Sequence, residues 1–310
     1  MPAVAETSWD VSIPWGPNEF HTKNAVKFAE EVAAATKGEV KMTVHAGGSL
    51  GIRANESLRA VEDGAVPMAE YGLFQNTGDV PLLGIEAIPF LIKNYEEVRV
   101  MHGLVRPLWE AELEKRNQKI LYIVPWPSQN FFTKEPIDTP EDMKGMRMRV
   151  MDNNTAEMVT RLGMTATQLN NPDIVPALAT GRLDAVMTSG TTAAAQQYWE
   201  FLKHVYNTNH LWASNGMVVN LDSWNELTPE QQTAIEEVAA RLEPTFWEIS
   251  EGEHSTRMEE LKSHGMTVQA PSEEVLQMMR DATEDMRPAF IERAPAAGPI
   301  LEEFLKVTGE

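Results

Sequence analysis

Two arginines stand two positions apart in the run KGMRMRV, residues 144–150. In an extended segment Met146, Met148 and Val150 point to one face, and Arg147 and Arg149 point to the other. The methionine and valine side can enter a core. The guanidinium groups then need a carboxylate partner, water or a ligand, because an unpaired buried cation is costly. Arginine's planar fork can hold a carboxylate through two parallel hydrogen bonds. Ligands of open α/β sheets sit beyond the carboxyl ends of the strands, so Arg149, nearer that end, is the ligand candidate. A structural ion pair is the competing reading.

Other chemistry-bearing patterns are sparse. The seven histidines show no HExxH or other tight metal spacing, and the chain has no cysteine, so no metal or other cofactor is expected. GGSLG (residues 47–51) is neither GxGxxG nor a P-loop, and its glycines read as a turn near a cleft. No GxSxG elbow occurs, and TSGTTAAA (residues 188–195) offers at most a hydroxyl-rich helix start. An α/β enzyme with an unrecognised site remains as a distant alternative.

Aromatic residues fall at the ends of strand-like runs. Trp15 ends the first, Tyr71 and Phe74 follow the run containing Glu70, Trp126 ends another, and Trp212 precedes Asn215. Each alone could be core; together they suggest a pocket with apolar walls and a few polar anchors. Glu70 reads as an exposed loop acid. Facing the cleft, it could instead accept hydrogen bonds from ligand hydroxyls or pair with an ammonium group. A small amine held by Glu70, Asp152 and aromatic faces is therefore an alternative ligand.

The elements that must position these groups alternate. WDVSIPW (residues 9–15) is strand-like, NAVKFAEEVAAAT (24–36) has helical spacing, and VKMTVHA (40–46) is the next strand, followed by a helix through ANESLRAVEDG. This βαβ order predicts an α/β fold with mostly parallel sheets covered by helices. Further strands are expected in KILYIVPW, MRMRV, LDAVMTS and GMVVNL, and helices over residues 95–116, 154–162 and 173–180. From Thr228, with Pro229 and Gln231 forming a capped start, helical spacing runs to Leu261. Such a helix, about 228–264, would be on the order of 50 Å long and could bridge two domains. Pro244 should kink it or divide it into two helices.

The 310 residues carry 26 Lys plus Arg against 46 Asp plus Glu, a formal charge of -20. That balance repels phosphates and anionic lipid heads, arguing against nucleic acid as a partner. The acidic excess suits concentrated salt or an ordinary acidic soluble protein equally. With 43% hydrophobic and 23% charged residues, the composition is that of a globular protein. No apolar run reaches the roughly 20 residues of a membrane span, so no membrane insertion is expected. Ala3-Val4-Ala5 has the small-x-small form of a signal-peptidase site, so these residues read as the mature start of an exported chain with Met1 added.

The stretch TKEPIDTPEDMKGMRMRV, followed by AEMVTRLGMTATQLNNPDIVPALATGRLDAVMTS, resembles the central signature of substrate-binding proteins of tripartite ATP-independent periplasmic (TRAP) transporters. NAVKFAEEVAAATKGEVKMTVHAGGSLG and ESLRAVEDGAVPMAE are similar to earlier parts of that family, so the likeness covers nearly the whole chain. It implies a two-lobe periplasmic binding protein fold with a long lobe-spanning helix. Lobe I would comprise residues 1–125 and 213–250, lobe II 126–212 and 251–310. It further implies a monomeric periplasmic receptor, not an enzyme, that closes over a small organic acid and docks on TRAP membrane subunits. Arg149 matches the family's carboxylate clamp, Arg147 a structural position, and Asn171 and Thr188 pocket-lining positions.

The chain departs from the family pattern in two places. PWPSQNFFTKE has Ser128 and Gln129 where many relatives have a second arginine, which points to a monocarboxylate. Met187, Thr188 and Ser189 stand where sugar-acid binders carry an acid and an asparagine, so hydroxyls replace the amide.

Overall fold

The computed structural model describes residues 6–309, so Ala3-Val4-Ala5 lies outside the described residues. The chain first builds β1 (Thr7–Ser12), α1 (Phe20–Ala35), β2 (Val40–His45), α2 (Ser57–Glu62), β3 (Met68–Gly72), α3 (Tyr95–Glu114) and β4 (Gln118–Pro125). It then crosses to β5 (Asn130–Thr133), β6 (Arg147–Val150), α4 (Asn153–Arg161), β7 (Thr165–Gln168), α5 (Ile174–Ala179), β8 (Ala185–Thr188), α6 (Gly190–Ala195) and β9 (His204–Tyr206). It returns through β10 (Ser214–Asn220), α7 (Leu221–Asn225) and α8 (Pro229–Ser263), and ends in β11 (Thr267–Gln269), α9 (Glu273–Thr283), α10 (Met286–Arg293) and α11 (Ala297–Thr308).

The strands form two sheets, ordered β2-β1-β3-β10-β4 and β11-β9-β5-β8-β6-β7. Both are mixed, with two parallel and two antiparallel pairings in the first and three parallel and two antiparallel in the second. The antiparallel pairings all involve β10 in the first sheet and β5 in the second. The cause is the crossing: β10 re-enters the first lobe against the direction in which β4 leaves it, and β5 enters the second against β9. Backbone bonds Trp126 N–H to Ala213 O (2.8 Å) and Gln129 N–H to Leu211 O (3.0 Å) tie the two crossing segments together.

The central strands β5 and β8 of the second sheet are buried on both sides. Alternation still shows in the packing: Phe132 and Val186 face a core with Ile174, Tyr198 and Met258, whereas Phe131 and Met187 face the larger core shared with the first lobe.

α8 is one continuous 35-residue helix, about 52 Å long at 1.5 Å per residue, with Pro244 inside it. Its start is the expected capping box: Gln231 N–H donates to Thr228 Oγ1 (3.3 Å), and Thr228 N–H donates to Gln231 Oε1 (3.0 Å). No break occurs at Pro244 because tertiary contacts hold the following turns. Phe246 packs on Tyr122, Trp247 Nε1 donates to Ile123 O (2.8 Å), and Ser250 Oγ donates to Pro125 O (2.6 Å). The amino-terminal part buries Ile235, Val238 and Leu242 in the first core, and the last turns bury Met258 and Leu261 in the second.

Residues 251–310 make contacts on both sheets' sides. β11 joins the second sheet and α9 packs on α4, whereas α11 packs against α3 of the first lobe.

Candidate functional site

A narrow, almost closed slot of about 20 Å³ lies between the sheets, lined by Trp15, Phe74 and Gln75 from the first lobe. Trp126 and Ala213 bound it from the crossing segments, and Gln129, Arg149, Met151, Asn171, Thr188, Ser189 and Thr192 from the second lobe. Eight residues singled out from sequence therefore meet here: Trp15, Phe74, Trp126, Gln129, Arg149, Asn171, Thr188 and Ser189.

Arg149 is the cationic member of the lining. It sits on β6 opposite Val186 of β8, and is 3% exposed. Nε donates to Leu169 O (3.0 Å) and Nη1 to Met187 O (3.1 Å), which fixes the guanidinium plane. Among the described residues, no carboxylate hydrogen-bonds to it. Burial pulls its pKa below the usual arginine value, opposed by Tyr198 and by the charge of Asp152. Asp152 is spent as the cap of α4, where Oδ1 accepts from Thr155 N–H (2.7 Å), and burial raises its pKa. The pocket thus holds a cation whose charge no bonded anion neutralises. Arg147, two residues earlier on the same face of β6, pairs with Asp184 at the surface through Nε to Oδ2 (2.7 Å) and Nη2 to Oδ1 (2.6 Å).

Glu70, Tyr71, Trp212 and Asn215 do not line the space. Glu70 and Tyr71 are neighbours on β3 and must face opposite ways. Tyr71 Oη donates to Gln118 Oε1 (2.9 Å) on the far side, beneath α2. Glu70 is not an exposed loop acid but fully buried. It accepts from Tyr122 Oη (3.1 Å) and Asn215 Nδ2 (3.0 Å), and His21 Nδ1 lies 2.8 Å away, off the line of a hydrogen bond. Asn215 Oδ1 in turn accepts from Trp126 Nε1 (2.8 Å). This network lies behind Trp126 and fixes its indole; the His21 ring packs 4.2 Å from it. Trp212 packs edge-on against Tyr95. The amine alternative loses its anion, since Glu70 is engaged inside the first lobe and out of the pocket.

The sequence reading missed Gln75, Met151, Thr192 and Ala213. Gln75 follows the carboxyl end of β3, the position at which ligand groups gather in such sheets, and that was its available signal. GGSLG does lie near the cleft: Gly47 and Gly48 donate to Trp15 O (2.7 Å) and Ile13 O (3.0 Å), with φ of 68° and 69° that favour glycine.

Glu19, just before α1, adds a titratable group where the lobes meet. It is 2% exposed, and neither carboxyl oxygen completes a hydrogen bond. Burial pushes its pKa up to about 7, against the polar side chains of Thr192 and Asn171. Glu253 of α8 adds to the rise and Arg257 opposes it.

Two other clusters are separate from this pocket. Ser214, His102 and Glu86 meet in the first core, but Ser214 Oγ and Glu86 Oε1 both approach His102 Nε2 (3.1 and 2.5 Å). A nucleophile triad needs them on opposite ring nitrogens. A wider groove of about 570 Å³ lies outside, along α3, β4 and α8, where Arg106 pairs with Glu243 (2.6 Å) and Arg99 with Glu251. Among the described residues, no group of three or more side chains could hold a metal ion, and no helix is long and apolar enough to cross a membrane.

Two α/β lobes, crossed by extended segments and a shared helix and enclosing a cation-bearing slot, define a two-lobed solute-binding protein. Residues 11–293 match the family described as bacterial extracellular solute-binding protein, family 7. The chain belongs to this family of TRAP-type solute receptors, which are substrate-binding proteins rather than enzymes. The family is extracytoplasmic, and membership implies a small-molecule ligand and TRAP membrane subunits as partners.

DctP7 of Bordetella pertussis, an extracytoplasmic solute receptor binding pyroglutamic acid, superposes with a TM-score of 0.93 at 27% identity over 97% of this chain and 99% of its own. A marine metagenome TRAP protein specific for pyroglutamate gives 0.93 at 28% identity with the same coverage. A solute-binding protein of Chromohalobacter salexigens is 26% identical over 249 residues, 77% of this chain and 72% of the relative.

Proposed function

We propose that this protein captures a small organic acid with a single carboxylate, of the size and chemistry of pyroglutamate, and presents it to a TRAP membrane transporter. The observation that carries this reading is Arg149: a buried guanidinium, held in place by two carbonyls and bonded to no carboxylate. One carboxylate would complete its hydrogen bonds and neutralise its charge. A single cation in a narrow, almost closed slot suits a compact monoanion better than a dianion. The ring of such an acid would lie between Trp15, Phe74 and Trp126.

The walls come from both lobes, so entry requires the lobes to part. The two segments joining β4 to β5 and β9 to β10 act as the hinge, and α8 flexes with them. Binding favours closure because only the closed state makes contacts on both sides. Domain assignment follows the sheets, with lobe I built on β1 to β4 and β10 and lobe II on β5 to β9 and β11.

Calorimetric titration of the wild type and Arg149→Ala with pyroglutamate and a panel of other small acids tests this. Loss of the charged contact should weaken binding by roughly 2 to 3 kcal/mol, about 30- to 150-fold. An unchanged dissociation constant, or binding of only uncharged or dianionic compounds, refutes the assignment.

A further inference from the structure

The slot contains two buried polar groups that nothing among the described residues satisfies. Trp15 Nε1 has a hydrogen to donate and no acceptor; Gln75 Oε1 can accept and has no donor. Both line the pocket and both come from the first lobe, facing a second lobe that supplies Arg149. Several other lining groups are already engaged: Gln129 Nε2 donates to Pro127 O (2.8 Å), Ser189 Oγ bonds Thr191 Oγ1 (2.6 Å), and Asn171 Oδ1 accepts from Gln196 Nε2. Buried groups without partners are uncommon in folded proteins, and one of each hydrogen-bonding sense in a single slot calls for a ligand.

The backbone is shaped to keep Gln75 there. A Cβ on Gly72 would stand 2.9 Å from Gln75 Oε1 and 2.7 Å from the Phe74 ring, so only glycine leaves both side chains in place. Asn76 Nδ2 donates to Gly72 O (3.0 Å), which holds the turn after β3.

We infer that Trp15 and Gln75 together read an amide in the ligand. The ligand's C=O accepts from Trp15 Nε1–H, and its N–H donates to Gln75 Oε1. A cyclic amide presents N–H and C=O on one edge, one group for each of these partners; a carboxylate on the same ring goes to Arg149. The ligand class is thus a lactam carboxylic acid, and the pair rejects ring acids that lack the amide, because those leave both groups unpaired. This inference rests on the monocarboxylate reading of Arg149 and adds the second recognition element to it.

The test compares L-pyroglutamate with cyclopentanecarboxylate, which keeps the ring and the carboxylate but has no amide. Titrations use the wild type, Gln75→Leu, Trp15→Phe and Arg149→Ala. The wild type should prefer the lactam by about tenfold or more, and each of Gln75→Leu and Trp15→Phe should cut that ratio by about tenfold. Arg149→Ala should weaken both acids alike. The ratio does not depend on the fraction of folded protein, so partial misfolding of a variant leaves the outcome readable. Equal binding of the two acids by the wild type, or a ratio unmoved by Gln75→Leu and Trp15→Phe, overturns the amide pair while leaving Arg149 intact. Binding of neither acid, or indifference to Arg149→Ala, overturns the underlying reading and the pair with it.

Discussion

Replacing Glu19 with glutamine should make the protein more stable at alkaline pH and leave it unchanged at acid pH. The carboxyl is 2% exposed, and burial lifts its pKa from the ordinary 4.5 to about 7. The folded state therefore keeps a proton between those values that the unfolded chain releases, so stability falls as pH rises through this window. Below about pH 4.5 both states are protonated and nothing is lost; above about pH 7 the whole cost of a buried, unbonded carboxylate is present. A rise from 4.5 to about 7, at about 1.4 kcal/mol per unit, amounts to roughly 3 kcal/mol, most of it between about pH 5 and pH 8. Arg257 and Glu253 are the charged neighbours acting on it, in opposite directions. Urea unfolding of wild type and Glu19→Gln with saturating ligand, followed by tryptophan fluorescence, measures the difference at several pH values. The curves should meet near about pH 5 and part by roughly 2 to 3 kcal/mol near about pH 8, the variant being more stable. A difference that does not vary with pH, or a wild type that gains on the variant as pH rises, refutes the argument and means that the carboxylate is solvated or paired.

Two further outcomes follow from groups outside the ligand slot. Asn215→Ala removes the link between Trp126 Nε1 and Glu70 Oε1, stranding a donor and a carboxylate oxygen in the core, and should cost roughly 2 to 4 kcal/mol in urea unfolding; a loss under about 0.5 kcal/mol would mean that the network carries no net stability. Pro244→Ala restores a backbone donor at an exposed position inside α8 and should raise stability by about 1 to 3 kcal/mol. A fall in the unfolding midpoint would show that the helix needs the proline's geometry.

The start of α8 was legible because a cap is local: Thr228, Pro229 and Gln231 specify it within four residues. The fate of Pro244 was not, because local penalties were outweighed by Trp247 and Ser250 bonding to carbonyls of β4, which are far away in sequence. Arg149 could be aimed from sequence because alternation in MRMRV separates two polar side chains from three apolar ones. MAEYG offers no such contrast: every residue of β3 is buried, so neither face is marked as the outer one. That is why Glu70 and Tyr71 were both turned toward a cleft that neither reaches. Strand direction in β5 and β10 was likewise hidden, because it follows from where the chain crosses between lobes rather than from any residue in the strands. Gln75 belongs to no periodic pattern; its role depends on missing partners, which only coordinates reveal.

The return of α11 to α3 has a practical bearing on observing motion. Probes attached to β1 and to α11 would ride on the same rigid body and record a constant separation, however widely the cleft swings. A reporter pair must instead join α11 to a site such as α5, whose anchorage lies wholly within the opposite half.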